Sequence, residues 1–171
     1  MSGRIAIVDT NVPVVANGGQ EADPECVRAC VGALRELTSG GHVVVDGGLE
    51  ILQEYRKNLR AQGQPGVGDA FFKWLWDNLY VKEVCTQIRL TEHPNRGYRE
   101  FPDHEKLAGF DPSDRKFVAV AAAHPEHPPI LQAVDSKWWG YRRAFSQCGI
   151  RVEFLCFSQI AAQPRKKMKA R

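Results

Sequence analysis

No apolar run in this chain approaches the roughly 20 residues that a membrane span needs, so a membrane protein is not expected. The opening MSGR leads straight into an apolar run without the layout of a signal peptide, so a cytoplasmic location is expected. Cysteine is scarce: five residues, an odd number, with no CxxC pair. Cys26 and Cys30 stand at helical i, i+4 spacing, and Cys85, Cys148 and Cys156 lie in apolar surroundings. Buried reduced thiols are the expectation, ahead of a zinc site or a disulfide framework. His124 and His127 fall in HPEHPP, where two proline-broken turns rule out helical metal spacing, and they read as loop residues. No internal repeat is visible.

The chain has 171 residues, 43% of them hydrophobic and 25% charged, which fits one globular domain. At this size a core of its own suffices, without disulfide or metal. The net charge of +3 hides an asymmetry. Five of the 23 cations (Arg165, Lys166, Lys167, Lys169, Arg171) occupy the last seven residues, and the 18 that remain face 20 anions, a body of −2. A single domain over residues 1–160 and a basic, disordered tail over 161–171 are expected.

Apolar β-branched runs alternate with helical patterns. Strands are expected at Ile5 to Val8, His42 to Val45, Glu83 to Leu90, Ile130 to Val134 and Ile150 to Phe157. Helices are expected at Pro24 to Thr38, with Asp23 as N-cap and Pro24 at N1, at Leu49 to Arg60, from Asp69, at Pro112 to Ala123, and at Trp138 to Gln147. A Gly- and Asn-rich loop should follow the first strand, and residues 91–110 form a long polar connection. The alternation predicts an α/β three-layer sandwich with a mostly parallel central sheet flanked by helices.

In such folds functional groups gather beyond the carboxyl ends of the strands. Asp9 ends the first strand and Asp135 ends the Ile130 strand. Glu54 lies on the helix leaving the second strand, and Asp114 starts the helix before the Ile130 strand. Winding of right-handed β-α-β units puts these positions on one edge. Glu50 competes with Glu54. On a helical wheel centred near Tyr55, Glu54 lies about 115° away and Glu50 about 155°, so Glu54 flanks the buried stripe and Glu50 faces solvent. Asp111 reads as an N-cap with Pro112 at N1. Asp114 shares a face with Val118 and Ala121, and capping and metal ligation are both open to it. Two carboxylates about 5 Å apart repel by about 3 kcal/mol at an effective dielectric near 20. Four ionised acids in one pocket therefore call for a cation, and an all-oxygen set suits Mg²⁺ or Mn²⁺. Phosphodiester hydrolysis is the chemistry such a site supports.

The stretches IAIVDTN (Ile5 to Asn11), LEILQEY (Leu49 to Tyr55), FDPSDRKFVAVAA (Phe110 to Ala122) and ILQAVDSKW (Ile130 to Trp138) together resemble the PIN domain, an α/β nuclease family, over nearly the whole chain. The resemblance implies that Asp9, Glu54, Asp114 and Asp135 are the catalytic, metal-binding quartet, with Thr10 and Asn11 supporting Asp9. Ala133 stands where family members often carry Thr, and Ser136 is the hydroxyl that would replace it. Ala121 matches the small residue where the family's helix packs on the sheet. The resemblance further implies a Mg²⁺- or Mn²⁺-dependent endoribonuclease leaving 5′-phosphate and 3′-hydroxyl ends, an RNA substrate, a protein antitoxin if the chain is a toxin, and a homodimer. Arg115, Lys116, Lys137, Arg96 and Arg99 are candidate RNA contacts, each with an ordinary surface role as the alternative. Trp138 or Trp139, not both, is open to base stacking. Two other readings compete: a PIN-fold module that binds RNA or protein without catalysis, and an Asp-nucleophile phosphatase. The latter wants an acid where Asn11 stands.

Overall fold

The computed structural model describes residues 3–19 and 21–161. Of the basic tail expected over 161–171, Ala161 ends the last helix and residues 162–171 lie outside the described residues. Five short parallel strands make the central sheet: β1 (Ile5–Val8), β2 (His42–Asp46), β3 (Cys85–Ile88), β6 (Ile130–Gln132) and β7 (Val152–Phe154), in the order β3-β2-β1-β6-β7. Ala6, Ile7, Val8, Val43, Val44 and Val45 have no exposed surface. A parallel strand covered on both faces requires such an uninterrupted apolar run. Helices flank the sheet, so the expected α/β architecture is the observed one.

The chain runs outward from β1 through β2 to β3, then returns to the other side of β1 as β6. The strand order thus reverses between β1 and β6, whose register pairs Ile7 with Ile130 and Val8 with Leu131. Past the last pair, the Asp9 N–H still donates to the Leu131 carbonyl at 3.0 Å. A crevice opens at such a reversal, beyond the carboxyl ends of the two strands.

The helices follow the sequence closely in places. α2 (Pro24–Thr38) begins on Asp23, whose side chain accepts from the Cys26 N–H at 2.8 Å, with Pro24 at the first position. Elsewhere the sequence misleads. The segment expected as a Gly- and Asn-rich loop opens with a short helix, α1 (Asn11–Ala16), that buries Val12, Pro13, Val15 and Ala16. Pro13 sits in its first turn, where a missing N–H costs nothing. α3 (Glu50–Asn58) follows Leu49, a left-handed residue (φ 60°) unable to cap it. Asp46 caps it instead, accepting from the Glu50 and Ile51 N–H groups at 2.8 and 2.9 Å. α4 (Val67–Asp77) starts two residues before Asp69, whose carboxylate reaches back to the Gly66 N–H at 3.0 Å.

The connection over 91–110 is organised, not loose. It holds a small antiparallel hairpin, β4 (Glu92–His93) with β5 (Gly97–Tyr98), and a 3-10 turn at Glu105–Leu107. The helix expected from Pro112 divides into a 3-10 turn (Pro112–Asp114) and α5 (Arg115–Ala123). The one expected over 138–147 divides at Tyr141 into α6 (Ser136–Gly140) and α7 (Arg142–Gln147). The expected last strand stops at Phe154, and its remainder turns into α8 (Phe157–Ala161).

The cysteine expectation needs correcting. Cys26 is disulfide-bonded to Cys156, with Cα atoms 4.9 Å apart, and the Cys30 Sγ lies 3.9 Å from that of Cys156. The i, i+4 pair faces inward from α2, and the fold brings Cys156 to it across 130 residues of sequence. This removes the cysteine argument for a reducing compartment. Among the described residues no helix is long and apolar enough to cross a membrane.

Candidate active site

A pocket of about 260 Å³ opens at the reversal point, lined by Asp9, Thr10, Asn11, Val14, Glu54, Asn58, Asp111, Ser113, Asp114, Asp135 and Lys137. All four acids singled out from the sequence therefore meet. β1 delivers Asp9, and Asp135 follows β6 three residues after Gln132 and serves as N-cap of α6, accepting from the Lys137 N–H at 2.9 Å. Ile51, Leu52 and Tyr55 bury one side of α3, which leaves Glu54 at the pocket wall and Glu50 outside it. Glu50 accepts instead from the Tyr98 hydroxyl of the hairpin. The buried Tyr55 hydroxyl donates to the Val8 carbonyl, which ties the helix carrying Glu54 to the strand carrying Asp9.

Asp111 and Asp114 have separate tasks. Asp111 does the capping, accepting from both the N–H and the hydroxyl of Ser113 at 2.9 Å. Those bonds hold its carboxyl below the usual range, with burial opposing and Lys137 and Lys116 assisting. Asp114 occupies the N-cap position of α5 yet makes no side-chain capping bond. The capping alternative for Asp114 is thus already filled by its neighbour.

The acids disturb one another. Burial, followed by the charge of Asp114, pushes the Asp9 carboxyl well above its ordinary value. The Asn11 N–H pulls the other way, and Glu54 and Asp135 add to the rise. Asp114 is pushed up to about 6 by burial, then by Asp135, Asp111 and Glu54, against the opposing charge of Lys116. Desolvation and like charges each disfavour the ionised form, and here they act together.

The polar neighbours differ from expectation. Thr10 donates its hydroxyl to Glu54, not to Asp9. Asn11 supports Asp9 through its backbone N–H, 2.9 Å from Oδ2, while its side-chain Nδ2 lies 3.5 Å from Gln132 Oε1. Ser136 opens α6 but does not line the pocket. Gln132 itself escaped the sequence reading. It is fully buried beside Asp9, its Oε1 accepts from the Ala133 N–H at 2.9 Å, and its Nε2 has no partner among the described residues. A lone amide in an otherwise apolar strand was the available signal.

Most of the expected RNA-contacting cations are used internally. Arg115 is buried, and its guanidinium donates to the carbonyls of Ala108 and Phe110 at 2.9 Å and lies 4.9 Å over the Phe101 ring. Arg96 donates to the carbonyls of Phe101 and Arg99, both at 3.1 Å. These two arginines brace the long connection. Lys116 is buried and paired with Glu54 at 2.9 Å. Of the five, Lys137 and Arg99 remain exposed, and Lys137 lies at the pocket. Trp138 is wholly buried, and Trp139, half-buried against Phe154 and Phe157, carries the Arg142 guanidinium 4.3 Å above its ring.

No histidine or cysteine lines the pocket, so its donors are carboxylate, amide and hydroxyl oxygens of the kind that hard divalent cations take. The sulfurs of Cys26, Cys30 and Cys156 gather in a different place, between α2 and the residues after β7. Comparison with family models, with characterised proteins and with solved structures finds no match to this chain.

Proposed function

We propose that the pocket is the active site of a divalent-metal-dependent endoribonuclease, in which Asp9, Glu54, Asp114 and Asp135 serve a Mg²⁺ or Mn²⁺ ion. The observation that carries this reading is the company Asp9 keeps. Asp9 is 3% exposed, and its carboxylate receives one N–H and faces three other acids. A buried carboxylate needs a partner of opposite charge or several donors, and a divalent cation would supply what the protein does not. The motif resemblance to PIN domains supports the same reading and supplies RNA as the substrate.

When bound, such an ion lowers the pKa of a coordinated water and offsets charge on a phosphate. The chain's own residues do the rest. The Asn11 N–H fixes the Asp9 carboxylate at the end of β1. Thr10 and Lys116 fix Glu54 from two sides. Lys137, exposed at the rim, is placed to hold a phosphate oxygen of the substrate backbone. Within this proposal a toxin role, with an antitoxin placing an Arg or Lys among the carboxylates, and homodimer formation follow from the family resemblance, and a cytoplasmic location rests on the expectation from the N-terminal sequence alone.

The test is RNA cleavage titrated with Mg²⁺ and Mn²⁺, on single-stranded and structured RNA, with wild type beside Asp9→Asn. Wild type should cut only with metal, stop in chelator, and lose cleavage in the Asn variant. Equal cutting by the variant, or cutting in chelator, would refute the proposal. RNA retained in chelator with no cleavage under either metal would favour a binding module.

A further inference from the structure

Lys116 has a defined place inside the pocket wall. Its ammonium lies 2.9 Å from Glu54 Oε1, donates to the Ser113 carbonyl, and sits 5.0 Å over the Phe117 ring. Its side chain is 9% exposed. The other Glu54 oxygen accepts from the Thr10 hydroxyl. Glu54 therefore has both oxygens engaged, one of them by a fixed positive charge.

Resting on the metal-site reading above, we infer that Lys116 stands in the place of a second divalent cation, so that the pocket takes a single divalent ion held by Asp9, Asp114 and Asp135. Two-metal sites place their ions roughly 3.5–4 Å apart and share carboxylates between them. Here the carboxylate that would serve the second ion is already bonded to an ammonium. A cation entering at Glu54 would meet that like charge at hydrogen-bond range of the same carboxylate. The charge balance agrees. Four ionised carboxylates are offset by one divalent ion, Lys116 and, at the rim, Lys137. Asp111 adds no unmet demand, because Ser113 supplies it with an N–H and a hydroxyl. Lys116 is thus a positioning residue, acting on the site through Glu54.

The experiment is a Mn²⁺ titration of the full chain at neutral pH, with free Mn²⁺ followed by its electron paramagnetic resonance signal. Wild type should bind one ion per chain. Lys116→Met, which frees Glu54, should bind two, and Lys116→Arg, which keeps the charge, should return the count to one. Two ions on wild type would overturn the inference and leave the metal-site reading standing. No ion on wild type would end both. A folded Lys116→Met chain that still binds one would also overturn the inference, and if that variant does not fold the wild-type count decides.

Discussion

Asp46 and Asp69 are as deeply buried as Asp9, at 2%, 3% and 3% exposure, yet the three live in opposite surroundings. Asp46 accepts two N–H groups at the start of α3. Asp69 accepts from the Arg60 N–H, the Gly66 N–H and the Asn17 side chain, at 2.8, 3.0 and 3.1 Å. Both are surrounded by donors and hold backbone together. Asp9 receives one N–H and is surrounded by acids, as Asp114 is. Burial alone thus does not mark a functional acid. What sets Asp9 apart is burial with few donors and like charges close by, an arrangement that disfavours its ionised form and that a cation, on the proposed reading, would relieve.

Substitution should separate the two kinds. Asp114→Asn should lower metal-dependent cleavage by at least about 100-fold, since a direct ligand should matter no less than its supporting shell, while the metal-free chain melts no lower than wild type. A metal-free melting temperature that falls sharply would place Asp114 with the structural acids. Asp69→Ala should do the reverse. With three donors left unsatisfied it should lose about 3 kcal/mol of stability in chemical unfolding, with cleavage per folded molecule unchanged.

The next effect is one of pH. The Asp114 carboxyl is pushed up to about 6 in the folded chain, against an ordinary 3.8. Between those values the folded state holds more protons than the unfolded one, so this group's stability is present below the lower value and lost as pH rises through the upper. The metal-free chain should therefore gain stability from this group as pH falls from neutral to about 4. Saturating Mn²⁺ should reverse the trend, raising the melting temperature most above pH 6 and little at pH 5, where it competes with protons. An Mn²⁺ shift independent of pH would detach Asp114 from the metal. Smallest of all, Lys137→Ala should raise KM for RNA several-fold, more so at low salt, and spare kcat, because the residue meets substrate at the rim.

Much of this was legible in the sequence. An acid directly after a β-branched run placed Asp9, and helix geometry separated Glu54 from Glu50. DPSD divided as the Pro112 signal suggested, with Asp111 as cap and Asp114 free for the pocket. The misses share a cause. Arg115, Lys116 and Arg96 looked like surface cations because backbone carbonyls carry no side-chain signal in the sequence and Glu54 comes near Lys116 only on folding. Cys26 and Cys156 lie 130 residues apart, and nothing local announces their pairing. α1 was hidden by β-branched residues and a proline whose helical placement depends on burial against α2 and α4. Asp46 ends a strand just as Asp9 does, and only the fold, with its left-handed turn at Leu49 and the Glu50 and Ile51 N–H groups, shows that its carboxylate is committed to a helix start.

The most direct measurement is a crystal structure of the chain grown with Mn²⁺, collected where manganese scatters anomalously. An anomalous peak is expected in the pocket within coordination distance of Asp9, Asp114 and Asp135, and it should disappear in Asp9→Asn. A pocket without that peak under saturating Mn²⁺, or a peak that persists unchanged in Asp9→Asn, would contradict it.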